Sequence, residues 1–186
     1  MRYVIDVVAD TGEPLQPVEA ATKFTTFCGC IVRDNVPISI QRWKPDRAHD
    51  QHALPSAQKE MLWNEIHSHF TIPPEKVAAV KEYAMKKMAV QFQSYKKNLY
   101  ANFIKKGLTP DFNKDAYKKL KDHWDAFVAY KASEEGIRSS VRNKTAGSGK
   151  EYHHRLGPAG YKKKIPMWNN MEQDLIVKGI IPEIMS

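Results

Sequence analysis

The residues in this chain that could do chemistry are mostly cations. His153, His154 and Arg155 precede Lys162, Lys163 and Lys164 in a stretch that also holds Gly157 and Gly160 and has no acid between Tyr152 and Asn170. Ammonium, guanidinium and imidazolium groups presented together suit phosphate oxygens. Three adjacent lysines without local acids cannot all turn inward, so at least two are expected at the surface. Earlier come Arg138, Arg142 and Lys144. On a helix, arginines four apart share a face, and such a helix in a major groove could read guanines through Arg138 and Arg142. The histidine pair is also compatible with metal ligation, proton relay or plain loop packing; the cations on both sides favour phosphate contact.

Other constellations carry less. Cys28-x-Cys30 and His67-x-His69 could be combined into a zinc site, but neither spacing matches a structural zinc pattern, and half-buried helical thiols account for the cysteines. Trp124 and Trp168 could stack on bases, yet each has helically spaced apolar neighbours, Phe127 and Met171, which points to core packing. Gly157-x-x-Gly160 follows no strand, so it reads as a tight turn and not as a phosphate cradle. No metal or cofactor is expected.

Charge along the chain is uneven. Residues 1–80 hold 8 Lys and Arg against 10 Asp and Glu, residues 81–164 hold 20 against 8, and residues 165–186 hold 1 against 3, so all the excess behind the net +8 lies in the middle. That bias suits a polyanion, although lysines also serve simply to solvate helices. With 42% apolar and 27% charged residues in 186, a folded domain is expected, and a collagen, a disulfide mini-protein or a wholly disordered chain is excluded. Neither a membrane span nor a secretory leader is read in the sequence, and the two cysteines suit a reducing intracellular setting.

Positioning falls mainly to helices. Tyr3 to Val8 is read as a strand ending in the turn at Asp10 to Pro14. Apolar residues from Ala20 to Val32 recur at three and four, predicting a helix between Val18 and Val36 that Pro37 stops; Ile38 and Ile40 then alternate as a second strand pairing with the first. After a polar connector from Trp43 to Pro55, Leu62, Ile66 and Phe70 predict an amphipathic helix with Ser56 as its N-cap. Val77, Val80, Ala84, Met88, Phe92, Tyr95, Leu99 and Phe103 predict one helix of about 30 residues. Gly107 to Pro110 breaks it. Tyr117, Leu120, Trp124, Phe127 and Val128 predict a further helix running on through Arg138 and Val141 to a break at Gly147-Ser148-Gly149. A basic loop over 146–165 leads to a helix over 166–179 with Trp168, Met171 and Leu175 facing inward. The expected architecture is therefore a mainly α single domain over 1–186: a strand-helix-strand element over 1–45, a helical core over 56–145, the loop and the last helix.

Within this frame, the tract SEEGIRSSVRNKTAGSGKEYHHRLGPAGYKKKIPMW, preceded by HWDAFVAYKA, resembles the plant transposase family Ptta/En/Spm of CACTA-type transposons and host genes derived from them. The resemblance rests on Trp124-Asp125-x-Phe127-Val128, Ser133-Glu134-Glu135, Asn143-Lys144, and the histidine-glycine loop with Gly157, Gly160 and Tyr161 before Pro166-x-Trp168. The stretch with Phe24 to Arg33, Pro37, Trp43 and Trp63 is similar to the region that precedes this block, so the likeness spans nearly the whole chain. It implies a nuclear protein that binds double-stranded DNA. Catalysis by a DDE-type transposase needs three carboxylates on a sheet to hold two divalent metals; few strands are predicted here, and Glu134 and Glu135, adjacent on a helix, point in different directions. The resemblance then implies an accessory DNA-binding part working beside a separate catalytic transposase, not an enzyme. The contacts expected are Arg138, Arg142, Lys144, His153, His154, Arg155, Lys162, Lys163 and Lys164. The alternative is a helical interaction or dimerisation module, in which the stripe of the long helix from Val77 to Phe103 meets a partner or a second copy.

Overall fold

The computed structural model describes residues 2–148, 170–171, 173–175 and 177–178. The protein is mainly α-helical with short strands near its N-terminus. The chain divides within its last long helix into two units, Met1–Ile137 and Arg138–Ser186.

The first residues form two short strands where the sequence suggested one. β1 (Tyr3–Val4) pairs in parallel with β4 (Phe70–Thr71), and β2 (Val7–Val8) pairs antiparallel with β3 (Pro14–Gln16). The change of partner falls at Ile5 and Asp6, whose amides bond Thr71 O at 2.9 Å and Gln16 O at 2.8 Å. Ile38 to Ile40 is a turn, not a second strand, and Ile38 is 2% exposed in one apolar cluster while Ile40 packs against another. The alternation there separates two cores instead of two faces of a sheet. Gly12 closes the β2–β3 turn at φ +82, and a Cβ on it would stand 2.0 Å from Ala79 O, so only glycine fits.

α1 (Val18–Asn35) ends one residue short of Val36, as Pro37 requires. α2 (Ser56–His69) starts at Ser56, but Pro55 occupies the N-cap and no side chain caps the helix; proline pre-sets the entry dihedral without supplying an acceptor. Its C-terminal carbonyls are met from outside, Arg2 donating to His67 O at 2.8 Å and to Phe70 O at 2.6 Å. Phe70, the last step of the helical stripe, begins β4 and remains wholly buried.

α3 (Val77–Asn102) has 26 residues and is about 39 Å long, with a 3₁₀ turn at each end, Pro74–Lys76 and Ile104–Lys106. It serves two cores. Val80, Ala84, Met88 and Phe92 join Phe24, Cys28, Val32, Leu62, Trp63, Ile66 and Phe70 in the larger; Leu99 joins Ile38, Leu120, Trp124 and Phe127 in the smaller. The stripe expected to meet a partner is thus covered by the chain's own helices. Trp124 lies in the smaller core as expected, edge-on to Phe103 at 6.1 Å and Phe112 at 6.2 Å.

Between the cores, in phase with both halves of the stripe, sits Lys96, 2% exposed. Its ammonium donates to Ile40 O at 2.7 Å and Gln41 O at 3.4 Å and lies 4.7 Å from the centre of the Phe92 ring. Burial, aided by the nearby Lys131, lowers its pKa from 10.5 to about 8.

The helix expected from Tyr117 through Val141 is three: α4 (Asp115–Lys118), α5 (Lys121–Ala132) and α6 (Glu134–Ser148). The break between the last two is at Ser133, in extended conformation. α6 runs to Ser148, within the expected break at Gly147-Ser148-Gly149, of which Gly149 lies outside the described residues. Asn170, Met171, Gln173 to Leu175 and Val177 are helical, but Met171 and Leu175, expected to face inward, are 54% and 36% exposed. Apolar residues four apart mark a face without establishing that anything covers it.

In the smaller core, Trp124→Ala should cost about 3–5 kcal/mol, read as a lower denaturant midpoint, because the cavity lies among rings that cannot close over it. For Lys96, the native pKa lies below the unfolded one, so between about pH 8 and 10.5 the unfolded chain binds more protons and stability rises with pH through that window. The gain is at most about 3 kcal/mol. The buried Cys28 thiol, pushed up to about 12 by desolvation, works in the opposite sense above about pH 9. The measurement is therefore the difference between wild type and Lys96→Met: the variant should lack the rise and keep the Cys28 decline.

Candidate nucleic-acid interface

α6 is built to start sharply. Ser133 Oγ accepts from Gly136 N at 3.2 Å and donates to Tyr130 O at 2.7 Å, so one hydroxyl caps α6 and meets a carbonyl at the end of α5. Glu134 and Glu135 follow in the first turn, where carboxylates suit the helix dipole. Gly136 is buried at the junction; a Cβ there would lie 2.1 Å from Tyr130 O.

The start of α6 is also held by charge. Arg42 reaches Glu135 with its guanidinium and contacts Asp46 at 2.9 Å and Asp50 at 3.3 Å. Burial acts against the charged guanidinium, but Glu135, Asp46 and Asp50 outweigh it and raise its pKa. Desolvation likewise works against the Asp50 carboxylate, 2% exposed; the amides of Asp46 and His52 and the Arg42 guanidinium prevail and lower its pKa. Arg42 therefore links the connector over 42–53 to the first turn of α6.

Of the expected contacts, Arg138, Arg142 and Lys144 all fall on α6, and Arg138 and Arg142 are exposed. The same helix exposes Ile137 at 54% and Val141 at 56%. His153, His154, Arg155, Lys162, Lys163 and Lys164 lie outside the described residues, as do Trp168, Gly157 and Gly160. The cysteine and histidine pairs are dispersed: Cys28 is buried, Cys30 is exposed, His69 packs on the Phe27 ring at 4.9 Å and His67 stacks on Trp63 at 5.3 Å. Among the described residues no group of three or more His, Cys, Asp and Glu is placed to hold a metal ion, and no helix is long and apolar enough to cross a membrane.

The expected contacts left out a second group of cations within the basic middle of the chain. Lys105 and Lys106 in the turn after α3, Lys114, Lys118 and Lys119 around α4, and Lys121 at the start of α5 are all exposed. Each lies within two residues of a side chain of the smaller core, such as Ile104, Phe112, Tyr117 or Leu120. The signal was present in the alternation of aromatic and lysine residues, which places one type inside and the other outside.

Compared with known protein families, curated proteins and solved structures, the chain matches none.

Because the α5–α6 junction leaves no room for a methyl group, Gly136→Ala should displace the start of α6 and destabilise the protein by roughly 1–3 kcal/mol. A thermal melt identical to wild type would show that the junction is looser than this close approach requires.

Proposed function

We propose that this chain is a DNA-binding accessory domain of a plant transposon-encoded or domesticated transposase-like protein, acting in the nucleus beside a separate catalytic transposase. The observation that carries the reading is the concentration of positive charge between residues 81 and 164, 20 cations against 8 acids, together with the exposure of Arg138 and Arg142 four residues apart on α6. Phosphate contacts from α6 and from His153, His154, Arg155 and Lys162 to Lys164 position the duplex; base readout falls to α6 in the major groove. The resemblance to the Ptta/En/Spm family supplies the transposon context, and catalysis is assigned to the other polypeptide.

The exposed Ile137 and Val141 favour a second reading, in which α6 is a protein-docking or dimerisation helix. Salt separates the two, since an apolar contact lacks the steep loss of affinity caused by counterion uptake. Binding of a labelled random-sequence duplex should weaken steeply with salt. Changing Lys162, Lys163 and Lys164 together to Ala should flatten the log K against log salt slope by about 0.9 for each phosphate no longer neutralised and leave the melting curve nearly unchanged. An unchanged slope with intact folding removes these three lysines from the binding surface, and absence of duplex binding by wild type overturns the reading.

A further inference from the structure

Between Lys97 and Lys121 the chain holds seven lysines and two aspartates. All seven lysines are exposed. One is engaged, Lys119 with Asp34 at 3.2 Å. Lys97, Lys105, Lys106, Lys114, Lys118 and Lys121 make no ion pair among the described residues. Three lysines elsewhere are paired, Lys76 with Asp10 at 3.7 Å, Lys81 with Glu60 and Lys86 with Glu82, both at 2.6 Å, while Lys23, Lys44, Lys59 and Lys87 are unpaired among the described residues but are not clustered along the chain. The two local acids are placed for structure, Asp111 accepting from the backbone and side-chain amides of Asn113 at 3.1 Å and Asp115 lying in the first turn of α4.

The backbone gives two of these lysines a common side and sets a third just ahead of them. Lys119 and Leu120, between α4 and α5, both keep right-handed helical dihedrals, and i→i+3 bonds run through the link, from Tyr117 N to Lys114 O, Leu120 N to Tyr117 O and His123 N to Leu120 O, at 2.9, 2.9 and 3.0 Å. Tyr117, Leu120 and Trp124 turn into the smaller core at spacings of three and four. Lys118 and Lys121, three apart, lie beside that buried stripe, and Lys114, the N-cap of α4 in extended conformation, precedes them to complete a basic stripe along the chain. The stripe covers about 10 Å along the axis, the axial rise of about three phosphates on one DNA strand.

We propose that Lys114, Lys118 and Lys121, flanked by Lys105 and Lys106, form a further docking surface for the sugar-phosphate backbone of duplex DNA, in addition to the contacts proposed above. This rests on the reading of the chain as a DNA-binding domain and adds to it a surface that positions without reading bases. Lysine is suited to that task, as a flexible point charge that meets phosphate oxygens without a fixed bidentate geometry. Unpaired like charges gathered on one small lobe repel one another, and a polyanion relieves that repulsion.

The test uses the full chain and a labelled random-sequence duplex of about 20 base pairs, with affinity measured across a potassium chloride series. The variant Lys114→Gln/Lys118→Gln/Lys121→Gln should lower the log K against log salt slope by about 2.7, or about 0.9 for each lysine that meets a phosphate. A control, Lys76→Gln/Lys81→Gln/Lys86→Gln, removes the same net charge from paired lysines and should leave the slope near that of wild type. Far-ultraviolet melting curves check that both variants fold; if the stripe variant does not, the single variants, at about 0.9 each, replace it. Duplex binding by wild type with an unchanged slope in the stripe variant, or with equal losses in stripe and control, overturns this surface and leaves the DNA-binding reading standing. Absence of duplex binding by wild type overturns both.

Discussion

The arrangement of the first unit depends on one buried cation. Lys96 occupies the seam between two apolar clusters, and stripping water from an ammonium is costly enough to hold its pKa well below the ordinary lysine value. What the position requires is a donor. Ile38 belongs to one cluster and Ile40 to the other, so the chain between them must cross the seam as irregular backbone, and the carbonyls of Ile40 and Gln41 need partners there. A long side chain from α3 supplies them while its methylenes fill the gap and its head rests on Phe92. The solution is incomplete, since Gln41 Oε1 is buried without a hydrogen bond among the described residues. A methionine would fill the same volume but leave two more acceptors unmet.

The constraint passes along the chain. Residue 41 is held by Lys96, and the next residue is Arg42, whose guanidinium holds Asp46, Asp50 and Glu135. The turn that joins the cores therefore also sets where α6 begins. Ser133 fixes the same point from the other side by capping α6 while bonding the end of α5, which is anchored through Trp124 and Phe127 in the smaller core. Two independent restraints, one electrostatic and one a local cap, thus converge on a single helix turn. Arg138 and Arg142 lie on the helix that this turn starts.

Much of this was legible because helical periodicity is a burial signal that survives odd residues. Phe92, Lys96 and Leu99 are four and three apart, so the phase of α3 already put Lys96 inside, and only its residue type argued against it. The cap at Ser133 was legible too, as a serine followed by two glutamates, but the series Tyr117, Leu120, Trp124, Phe127 and Val128, carried on through Arg138 and Val141, passes across it and suggested one helix. The strands were not readable in the same way. Two residues are too few to show alternation, and nothing local to Tyr3 says that its partner is Phe70. Pairing at that separation is decided by how α1 and α2 pack, which no short window contains.

Charge is less legible than burial, for a physical reason. A count of lysines gives the sum of the field, whereas a binding surface depends on which of those charges are already neutralised at close range. Lys81 and Lys114 look alike in the sequence, but one meets a carboxylate across the α2–α3 contact and the other meets none among the described residues. The charges of Lys162 to Lys164 are consecutive in the sequence, while those around α4 are divided among aromatic core residues and interrupted by Gly107 to Pro110. Once Phe112, Tyr117, Leu120 and Trp124 have turned inward, the intervening lysines have only one side left. The smaller core thus places its lysines at the surface, so the residues that stabilise this lobe also determine its electrostatic face.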